Sequence, residues 1–178
     1  MRKELPLVSC VCVTRANPEM LERAIGCFNA QTYPNKELVV LYEDTDQLSR
    51  DFFTRQNPDQ FIRVLGVAGE PKQTIGKLRN YAISRAKGEF VCQWDDDDWY
   101  HSRRLEEQYS CIVTAGKAGS ILTQWIVYNS TNGKAYISNY RLWEGSVLCR
   151  KNELLEREYE DIACGEDTPD IERLHRFG

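Results

Sequence analysis

The sequence predicts an α/β fold with a mixed, mainly parallel β-sheet flanked by helices, and two observations support this prediction. Short apolar runs rich in β-branched residues recur at residues 7–13, 37–42, 61–67 and 89–94, as is typical of buried parallel strands. Segments with helical periodicity alternate with these runs. The composition is 42% hydrophobic and 28% charged, as in ordinary globular proteins, and we expect one domain over residues 1–178.

Three helices are predicted between and after these strands. The first begins at Pro18, which suits the first position of a helix, and apolar residues recur behind it at helical spacing. The second covers residues 75–86 and is ended by Gly88, and the third covers residues 103–115. The polar stretch 47–60 is difficult to assign, although the alternation of elements suggests a helix there. The right-handed crossover rule then puts the helices on the faces of the sheet.

The second half of the chain has a different pattern. Residues 121–128 and 135–139 are predicted to form strands, and the Asn132-Gly133 pair between them is a strong hairpin signal. Residues 145–149 could form a further strand and residues 152–158 a short helix. We therefore expect a hairpin beside the main sheet.

The net charge of −4 and the absence of a basic stripe argue against a nucleic-acid partner. An acidic protein can still bind an anionic substrate when a divalent cation lies between them. The seven cysteines include no CxxC pair and several lie in apolar runs, so we expect reduced, buried thiols and no zinc site. No apolar run has the length of a membrane span, and no signal-peptide pattern is present, so we expect no transmembrane segment and a cytoplasmic location.

The most informative segment is a run of four consecutive aspartates, residues 95–98, which directly follows an apolar strand. In open α/β sheets, ligands bind at the carboxyl ends of the strands. Adjacent carboxylates repel one another unless a cation compensates, and hard oxygen ligands suit Mg²⁺ or Mn²⁺. A bare run of aspartates is commonly a solvated loop. Its position at the end of a core strand, between Trp94 and Trp99, favours a metal site.

Three other segments carry candidate functional groups. Carboxylates at residues 43–46 follow the second strand, where such groups commonly bind a ribose or a base. Lys77 and Arg79 begin a helix and could reach a diphosphate. The loop 165–168, with the sequence GEDT, could supply a general base. The simpler interpretations are an acidic loop, a solvated basic helix face and a helix cap.

Together and in this order, these segments resemble the family 2 glycosyltransferases, which have the GT-A fold. The opening block "PLVSCVCVTRANPEMLERAIGCFNAQTYPNKELVVLYEDTD" is similar to the N-terminal signature of that family. The block "GKLRNYAISRAKGEFVCQWDDDDWYHSRRLEEQ" resembles the middle block with its DxD motif, and "EGSVLCRKNELLE" followed by "GEDT" resembles the C-terminal block with its ED motif. The similarity covers most of residues 5–170.

The resemblance implies a nucleotide site at the ends of the first two strands. Thr14 would line the nucleotide pocket, and Arg79 would face the nucleotide. Either Glu43 or Asp44 would take the position of the acid that binds the base or the ribose. The choice between them stays open, because the usual DDGS of the family is replaced by YEDTD in this chain.

The resemblance also implies roles for the acidic motifs. Asp97 would ligate the metal that bridges the diphosphate, with Asp95 as a second candidate ligand. Asp95 and Asp96 would otherwise contact the ribose or the surroundings of the metal. Asp167 would be the catalytic base and Glu166 its companion.

The function implied is metal-dependent transfer of a sugar, with inversion, from a nucleotide-diphospho-sugar to a hydroxyl of a glycan or lipid-linked acceptor. UDP is favoured by the habit of the family, and Mn²⁺ or Mg²⁺ would be the cofactor. No Q-x-x-R-W motif is present, so we expect a non-processive enzyme. Family members usually continue beyond the ED motif, so we expect a domain that is short at its C-terminus, cytoplasmic or peripheral to a membrane.

Two alternatives remain open from the sequence. A nucleotidyltransferase also holds a metal and a nucleotide at strand ends, but it would carry a Gly-rich basic loop after the first strand. This chain has "TRANPEM" there, which argues against that class. A non-catalytic domain would bind the sugar nucleotide and the metal without turnover.

Overall fold

A central six-stranded sheet and a separate two-stranded sheet organise the computed structural model, which describes residues 4–56 and 58–161. The strands are β1 Val8–Val13, β2 Lys36–Glu43, β3 Ile62–Val67, β4 Phe90–Gln93, β5 Gly119–Ser120, β6 Ile126–Asn129, β7 Lys134–Ile137 and β8 Leu148–Arg150. The helices are α1 Pro18–Asn29, α2 Gln47–Arg55, α3 Ile75–Arg85, α4 Arg104–Ala115 and α5 Lys151–Glu156, with a short 3-10 helix at Glu144–Ser146.

The strand order of the large sheet is β3-β2-β1-β4-β8-β5, while among the described residues β6 pairs with β7 alone. Strand β1 pairs in parallel with β2 and β4, and β2 pairs in parallel with β3. Strand β8 runs antiparallel to both β4 and β5. The predicted mixed, mainly parallel sheet is therefore confirmed. Because β1, β2 and β4 run in the same direction, their carboxyl ends meet at one edge of the sheet.

Apolar side chains cover both faces of this sheet, as the buried strand pattern predicts. On one face, Phe28 of α1 and Leu105 of α4 pack with Cys10 and Cys12 of β1. On the other face, α3 and α5 cover Val11 and its neighbours. The two layers of helices fix the carboxyl edge of the sheet relative to the loops that leave it.

The structure differs from the sequence prediction in the second half of the chain. Residues 121–125 are not a strand, because Ser146 Oγ and Ser138 Oγ accept hydrogen bonds from the backbone nitrogens of Leu122 and Trp125, each at 2.8 Å. Residues 145–149 are divided between the 3-10 helix and β8. Side-chain hydroxyls have taken backbone donors that a strand partner would otherwise use.

The polar stretch that was difficult to assign contains α2. Its cap is Asp46, whose Oδ1 accepts a hydrogen bond from the backbone nitrogen of Ser49 at 3.2 Å. Ser49 is the only residue of this helix that is fully buried, while Phe52 and Phe53 are half-buried. A helix that buries so little apolar surface leaves a weak periodic signal in the sequence.

The cysteines of the described residues have free thiols, and four of them are buried: Cys10, Cys12, Cys92 and Cys149. In the same part of the chain, no helix combines the length and the apolar character that crossing a bilayer requires.

Truncation of Phe28 tests the core beneath the site. The ring is 1% exposed and packs edge-on against Trp94, with ring centroids 6.3 Å apart. We expect Phe28→Ala to lower the free energy of unfolding by about 3–5 kcal/mol, because it removes apolar contacts and leaves a cavity. Urea denaturation followed by tryptophan fluorescence measures this change. The matched control is Phe61→Ala, whose ring is 49% exposed, with an expected cost below about 1 kcal/mol. Equal losses in both variants would contradict the assignment of the core.

Candidate active site

The four aspartates leave the carboxyl end of β4 at the edge of the sheet where β1 and β2 also end. Trp94 anchors the start of this acidic loop, because it is fully buried and its indole Nε1 donates a hydrogen bond to the Ala24 carbonyl at 3.1 Å. A cavity of about 360 Å³ between α1 and α2, lined in part by Phe53 and Ile62, lies toward the opposite edge of the sheet. The four aspartates put the candidate site at the carboxyl edge, away from this cavity.

Asp96 is held by the residue that follows β1. The hydroxyl of Thr14, which is 3% exposed, donates a hydrogen bond to Asp96 Oδ2 at 2.5 Å. Burial, together with the carboxylates of Asp97 and Asp95, raises the pKa of Asp96 despite the opposing effect of this hydrogen bond. Thr14 and Asp96, which the sequence assigned to one nucleotide site, are in direct contact.

Asp95 is held by a ring of side chains. Arg79 Nη2 lies 3.1 Å from Asp95 Oδ1, and Gln93 Nε2 donates a hydrogen bond to Asp95 Oδ2 at 3.1 Å. The Tyr159 hydroxyl donates to Gln93 Oε1 at 3.3 Å, and the Arg79 guanidinium lies 5.7 Å from the centre of the Tyr159 ring. Arg79 and Asp95 were predicted from the sequence, whereas Gln93 and Tyr159 have no local signal in it and were not.

Asp97 has the most exposed carboxylate of the run. Its backbone carbonyl accepts a hydrogen bond from Arg23 Nη2 at 2.7 Å, and the Arg23 guanidinium lies 5.5 Å from the ring centre of Trp99. Within residues 4–56 and 58–161, the Asp97 carboxylate has no hydrogen bond or ion pair. Its main chain is thus fixed while its carboxylate faces solvent.

Asp98 lies within electrostatic reach of the buried Arg104 guanidinium. Burial, with the carboxylates of Asp95 and Asp97, raises the pKa of Asp98 to about 7, while Arg104 and a hydrogen bond to Tyr100 act in the opposite direction. The Arg104 guanidinium lies 4.4 Å from the centre of the Tyr100 ring. Near neutral pH this carboxyl therefore binds a proton more readily than an exposed aspartate does.

The acids after β2 have different surroundings. Glu43 is 5% exposed, and its two oxygens are engaged by the Arg15 guanidinium and by the backbone nitrogen of Gln73. Asp44 is exposed, with one oxygen accepting a hydrogen bond from the backbone nitrogen of Gly69 at 2.9 Å. Of the two candidates, Asp44 is the carboxylate that a ligand can reach.

The candidate catalytic acids Glu166 and Asp167 lie outside the described residues. The chain that leads to them is fixed against α3, because Asn80 exchanges two hydrogen bonds of 2.9 Å with the main chain of Tyr159. Lys77 Nζ also lies 2.8 Å from Asp161 Oδ2, so the lysine that could reach a diphosphate has an acidic partner.

A pair of tryptophans, which no sequence motif indicated, borders the acidic loop. The rings of Trp125 and Trp143 are stacked, with centroids 5.5 Å apart and planes 13° apart. Both indole nitrogens are buried, and neither has a hydrogen-bond partner in the described structure. A Cβ atom added to Gly145 would lie 2.9 Å from Asp95 Oδ2 and 3.6 Å from the Trp125 ring, so Gly145 allows the loop to approach Asp95 closely.

The acidic loop has the donor chemistry of a Mg²⁺ or Mn²⁺ site. No three metal-binding side chains in the described part of the chain are grouped closely enough to hold an ion by themselves. Mg²⁺ commonly takes only one or two carboxylates, and substrate phosphates and water complete its coordination. The exposed Asp97, with Asp95 beside it, fits this mode.

Comparison with known proteins identifies the family. The profile described as Glycosyl transferase family 2 matches residues 9–170. The chain therefore belongs to glycosyl transferase family 2, as its motifs indicated. An uncharacterized glycosyltransferase of Methanocaldococcus jannaschii is 24% identical over 129 residues, which are 72% of this chain and 44% of that relative. The chain thus spans less than half the length of this curated relative.

Solved structures confirm the GT-A fold. TarS of S. aureus in complex with UDP is similar with a TM-score of 0.73 and 18% identity, over 96% of this chain and 55% of that chain. The mannosyltransferase PcManGT of Pyrobaculum calidifontis, in complex with GDP-Man and Mn²⁺, is similar with a TM-score of 0.69 and 16% identity, over 96% of this chain and 52% of that chain.

The raised pKa of Asp98 predicts a pH-dependent cost to stability. A carboxyl whose pKa is raised on folding favours the folded state at pH values below its ordinary pKa of 3.8, and this contribution is lost as the pH rises to about 7. We compare the free energy of unfolding of Asp98→Asn with that of the original protein in EDTA. Between pH 4 and pH 8, we expect this difference to change by about 2 kcal/mol in favour of the variant. This figure is about half of the full shift, because water screens a partly exposed carboxyl.

Urea denaturation at pH 4, 6 and 8 measures the effect. The control is Asp59→Asn on the exposed loop after α2, which should keep the pH profile of the original protein. A stability difference between Asp98→Asn and the original protein that is the same at all three pH values would refute the prediction.

Proposed function

We propose that the chain is the donor-binding and catalytic part of a glycosyltransferase. The reaction is metal-dependent, inverting and non-processive, and it moves a sugar from a nucleotide-diphospho-sugar to a hydroxyl of a glycan or lipid-linked acceptor. One observation carries the proposal: Thr14 holds Asp96 and Arg79 holds Asp95, while the Asp97 carboxylate between Asp96 and Asp98 stays exposed at the carboxyl edge of the sheet. Membership of glycosyl transferase family 2 supports sugar transfer as the activity.

The donor nucleotide binds across the ends of β1 and β2. Asp44 accepts hydrogen bonds from the ribose or the base, because Glu43 is already engaged by Arg15. Thr14 and Asp96 form the floor of this site. UDP is the nucleotide we favour, and the similarity to TarS, which was crystallised with UDP, supports it. PcManGT, crystallised with GDP-Man, makes GDP the competitor to test.

Asp97 and Asp95 hold the divalent cation, Mn²⁺ or Mg²⁺. When bound, the cation supplies positive charge beside the diphosphate that leaves with the nucleotide. Arg79 fixes the orientation of the Asp95 carboxylate and adds a positive charge beside the diphosphate. The Mn²⁺ in the complex of PcManGT supports this assignment.

Asp167 acts as the base, with Glu166 as its companion. Asp167 accepts the proton of the acceptor hydroxyl, whose oxygen attacks the anomeric carbon of the donor sugar. The bond from that carbon to the diphosphate oxygen breaks, and the nucleoside diphosphate leaves with the bonding electron pair. One displacement of this kind inverts the anomeric configuration. The match of the family profile through residue 170, which includes the GEDT segment, supports this assignment.

Replacement of Asp97 tests the donor site. With Mn²⁺ present, we expect Asp97→Asn to weaken nucleotide diphosphate binding by roughly a hundredfold or more. Loss of a residue around a metal ligand alone costs about 10- to 100-fold, and loss of a ligand should cost at least as much. Calorimetric titration of UDP, GDP and dTDP, with Mn²⁺ and with EDTA, measures binding and identifies the nucleobase that the site prefers. The matched control, Asp59→Asn at the opposite edge, should bind as the original protein does. Metal-independent binding of equal strength in all three proteins would reject the donor site.

Replacement of Asp167 separates catalysis from donor binding. We expect Asp167→Asn to lower the rate of sugar transfer by roughly 10²- to 10⁴-fold, which is the usual contribution of a general base, and to leave nucleotide affinity unchanged. Release of nucleoside diphosphate from a panel of sugar nucleotides, with a glycan or lipid-linked acceptor present, measures the rate. If Asp167→Asn transfers sugar at the original rate, Asp167 is not the base. If the original protein binds nucleotide but never turns over, the non-catalytic alternative is correct.

A further inference from the structure

The stacked side chains of Trp125 and Trp143, which we call the tryptophan pair, stand beside Asp95. Both residues are half-buried, so part of each ring remains open to solvent. Gly145 locates the pair, because a Cβ atom added there would lie 3.6 Å from Trp125 Cη2 and 2.9 Å from Asp95 Oδ2. Only the space of one absent side chain therefore separates the edge of the Trp125 ring from the Asp95 carboxylate.

The backbone that carries the tryptophan pair is fixed by hydrogen bonds. The backbone nitrogen of Trp125 donates to Ser138 Oγ at 2.8 Å, and its carbonyl accepts from the Ser138 backbone nitrogen at 2.7 Å. The backbone nitrogen of Trp143 donates to the Leu122 carbonyl at 3.0 Å, and its carbonyl accepts from Ser146 Oγ at 2.6 Å. The two rings are thus presented from a rigid support, as a binding site requires.

The two indole nitrogens contrast with this satisfied backbone. Each is buried, and neither donates a hydrogen bond within the part of the chain that the structure describes. A buried donor without an acceptor costs about 1–3 kcal/mol, and native proteins keep few of them. An indole N–H can only donate, so the group that completes it brings an acceptor oxygen. Aromatic walls with a few placed polar groups are typical of small-molecule sites. A pyranose ring, which has apolar C–H groups and several oxygens, fits both features.

The strand order indicates which part of a sugar nucleotide reaches the tryptophan pair. Strands β2, β1, β4 and β8 are consecutive neighbours in the sheet, and β8 runs antiparallel to β4, so β8 begins at the edge where β4 ends. Asp44 follows β2, Thr14 follows β1, Asp95 follows β4, and Trp143 precedes β8. In the proposed function, Asp44 and Thr14 bind the nucleoside and Asp95 lies at the cation and the diphosphate. The group that comes next in the donor is the sugar.

The charges around the tryptophan pair suit a neutral ligand. Residues 108–143 contain no Asp or Glu. The Arg141 guanidinium lies 4.7 Å from the centre of the Trp143 ring, and its charge is paired with Glu144. A diphosphate is bound by a cation or by free guanidinium groups, whereas a sugar ring needs neither. This wall of the site therefore favours the uncharged end of the donor.

We propose that the tryptophan pair binds a pyranose ring beside Asp95, and that this ring is the sugar of the donor. The inference rests on the proposed function, because it extends the donor site of a sugar transferase. The C–H groups of the ring lie against the indoles, and its oxygens accept hydrogen bonds from the indole nitrogens. A sugar without an oxygen at the matching position leaves these donors unpaired, so the pair selects which sugar binds.

Calorimetric titration of the 178-residue chain with Mn²⁺ tests the proposal. The ligands are UDP, UDP-glucose, UDP-galactose, UDP-N-acetylglucosamine, GDP and GDP-mannose. We expect Trp125→Leu to weaken binding of the preferred sugar nucleotide about tenfold, because it removes an aromatic contact and a hydrogen-bond donor. Binding of the free nucleoside diphosphate should change by less than about twofold. Trp143→Phe keeps an aromatic ring without the indole N–H, and it should narrow the differences in affinity between the sugars.

The matched control is Tyr140→Leu, which removes an aromatic ring that is 77% exposed from the same segment of the chain. This variant should bind every ligand as the original protein does. Circular dichroism checks that all variants fold.

A glycan acceptor carries the same kind of ring, and saturation-transfer NMR separates the two sources. Aromatic protons of the protein are irradiated in the presence of Mg²⁺, which replaces the paramagnetic Mn²⁺. The ligands are the preferred sugar nucleotide alone, or methyl pyranosides together with the free nucleoside diphosphate. We expect saturation of the ring protons of the sugar nucleotide, lost in Trp125→Leu. Saturation of a methyl pyranoside alone, lost in the same variant, would support the sugar subsite and assign it to the acceptor.

Two results would overturn the inference and leave the proposed function in place. One is a Trp125→Leu variant that binds all ligands with the original affinity while no pyranose ring is saturated. The other is an equal loss of affinity for nucleoside diphosphate and sugar nucleotide in that variant, which would give the tryptophan pair a purely structural role. An original protein that binds no nucleoside diphosphate would reject the proposed function itself, and the inference with it.

Discussion

The acidic end of β4 depends on the buried guanidinium of Arg104. Its Nη2 atom donates hydrogen bonds to the carbonyls of Gln93 at 3.0 Å and Gly145 at 3.3 Å, and its Nε donates to Gln108 Oε1 at 3.0 Å. The same guanidinium lies over the rings of Trp94 and Tyr100. Consecutive carboxylates repel one another, and a cation beneath the loop offsets part of that repulsion. Because Arg104 also contacts the residue that borders Asp95, one side chain joins the acidic loop to the segment before β8.

Surroundings, and not residue type, distinguish the four aspartates. The Thr14 hydroxyl holds Asp96, the Arg79 guanidinium holds Asp95, and the Asp97 carboxylate faces solvent. Burial beside Asp95 and Asp97 keeps Asp98 partly protonated near neutral pH. Identical groups with such different environments can divide the tasks of a site between them, as titratable pairs in enzymes do. The chain thus presents one accessible carboxylate within a loop that is otherwise fixed.

Sequence patterns predicted what depends on local periodicity and missed what depends on distant contacts. The four parallel strands were found because buried strands are continuous apolar runs. The Asn132-Gly133 turn was found because an Asn-Gly pair readily adopts positive φ angles, and Gly133 has a φ of 67°. Helix α2 was uncertain because it buries little apolar surface. The difference in accessibility between Glu43 and Asp44 could not be predicted from the sequence, since it depends on Arg15 and Gln73, which are distant along the chain. Tyr159 was missed for the same reason: its partner Gln93 is 66 residues away.

Gly145 has a consequence for protein engineering. It is not among the residues of the described chain with a positive φ, so an alanine there meets no backbone penalty. The added methyl group would instead press on Asp95 Oδ2 and displace it from its present position. A single carbon atom added at position 145 would therefore move the carboxylate of Asp95 without removing it from the chain. Substitution of the aspartate itself cannot separate geometry from charge in this way.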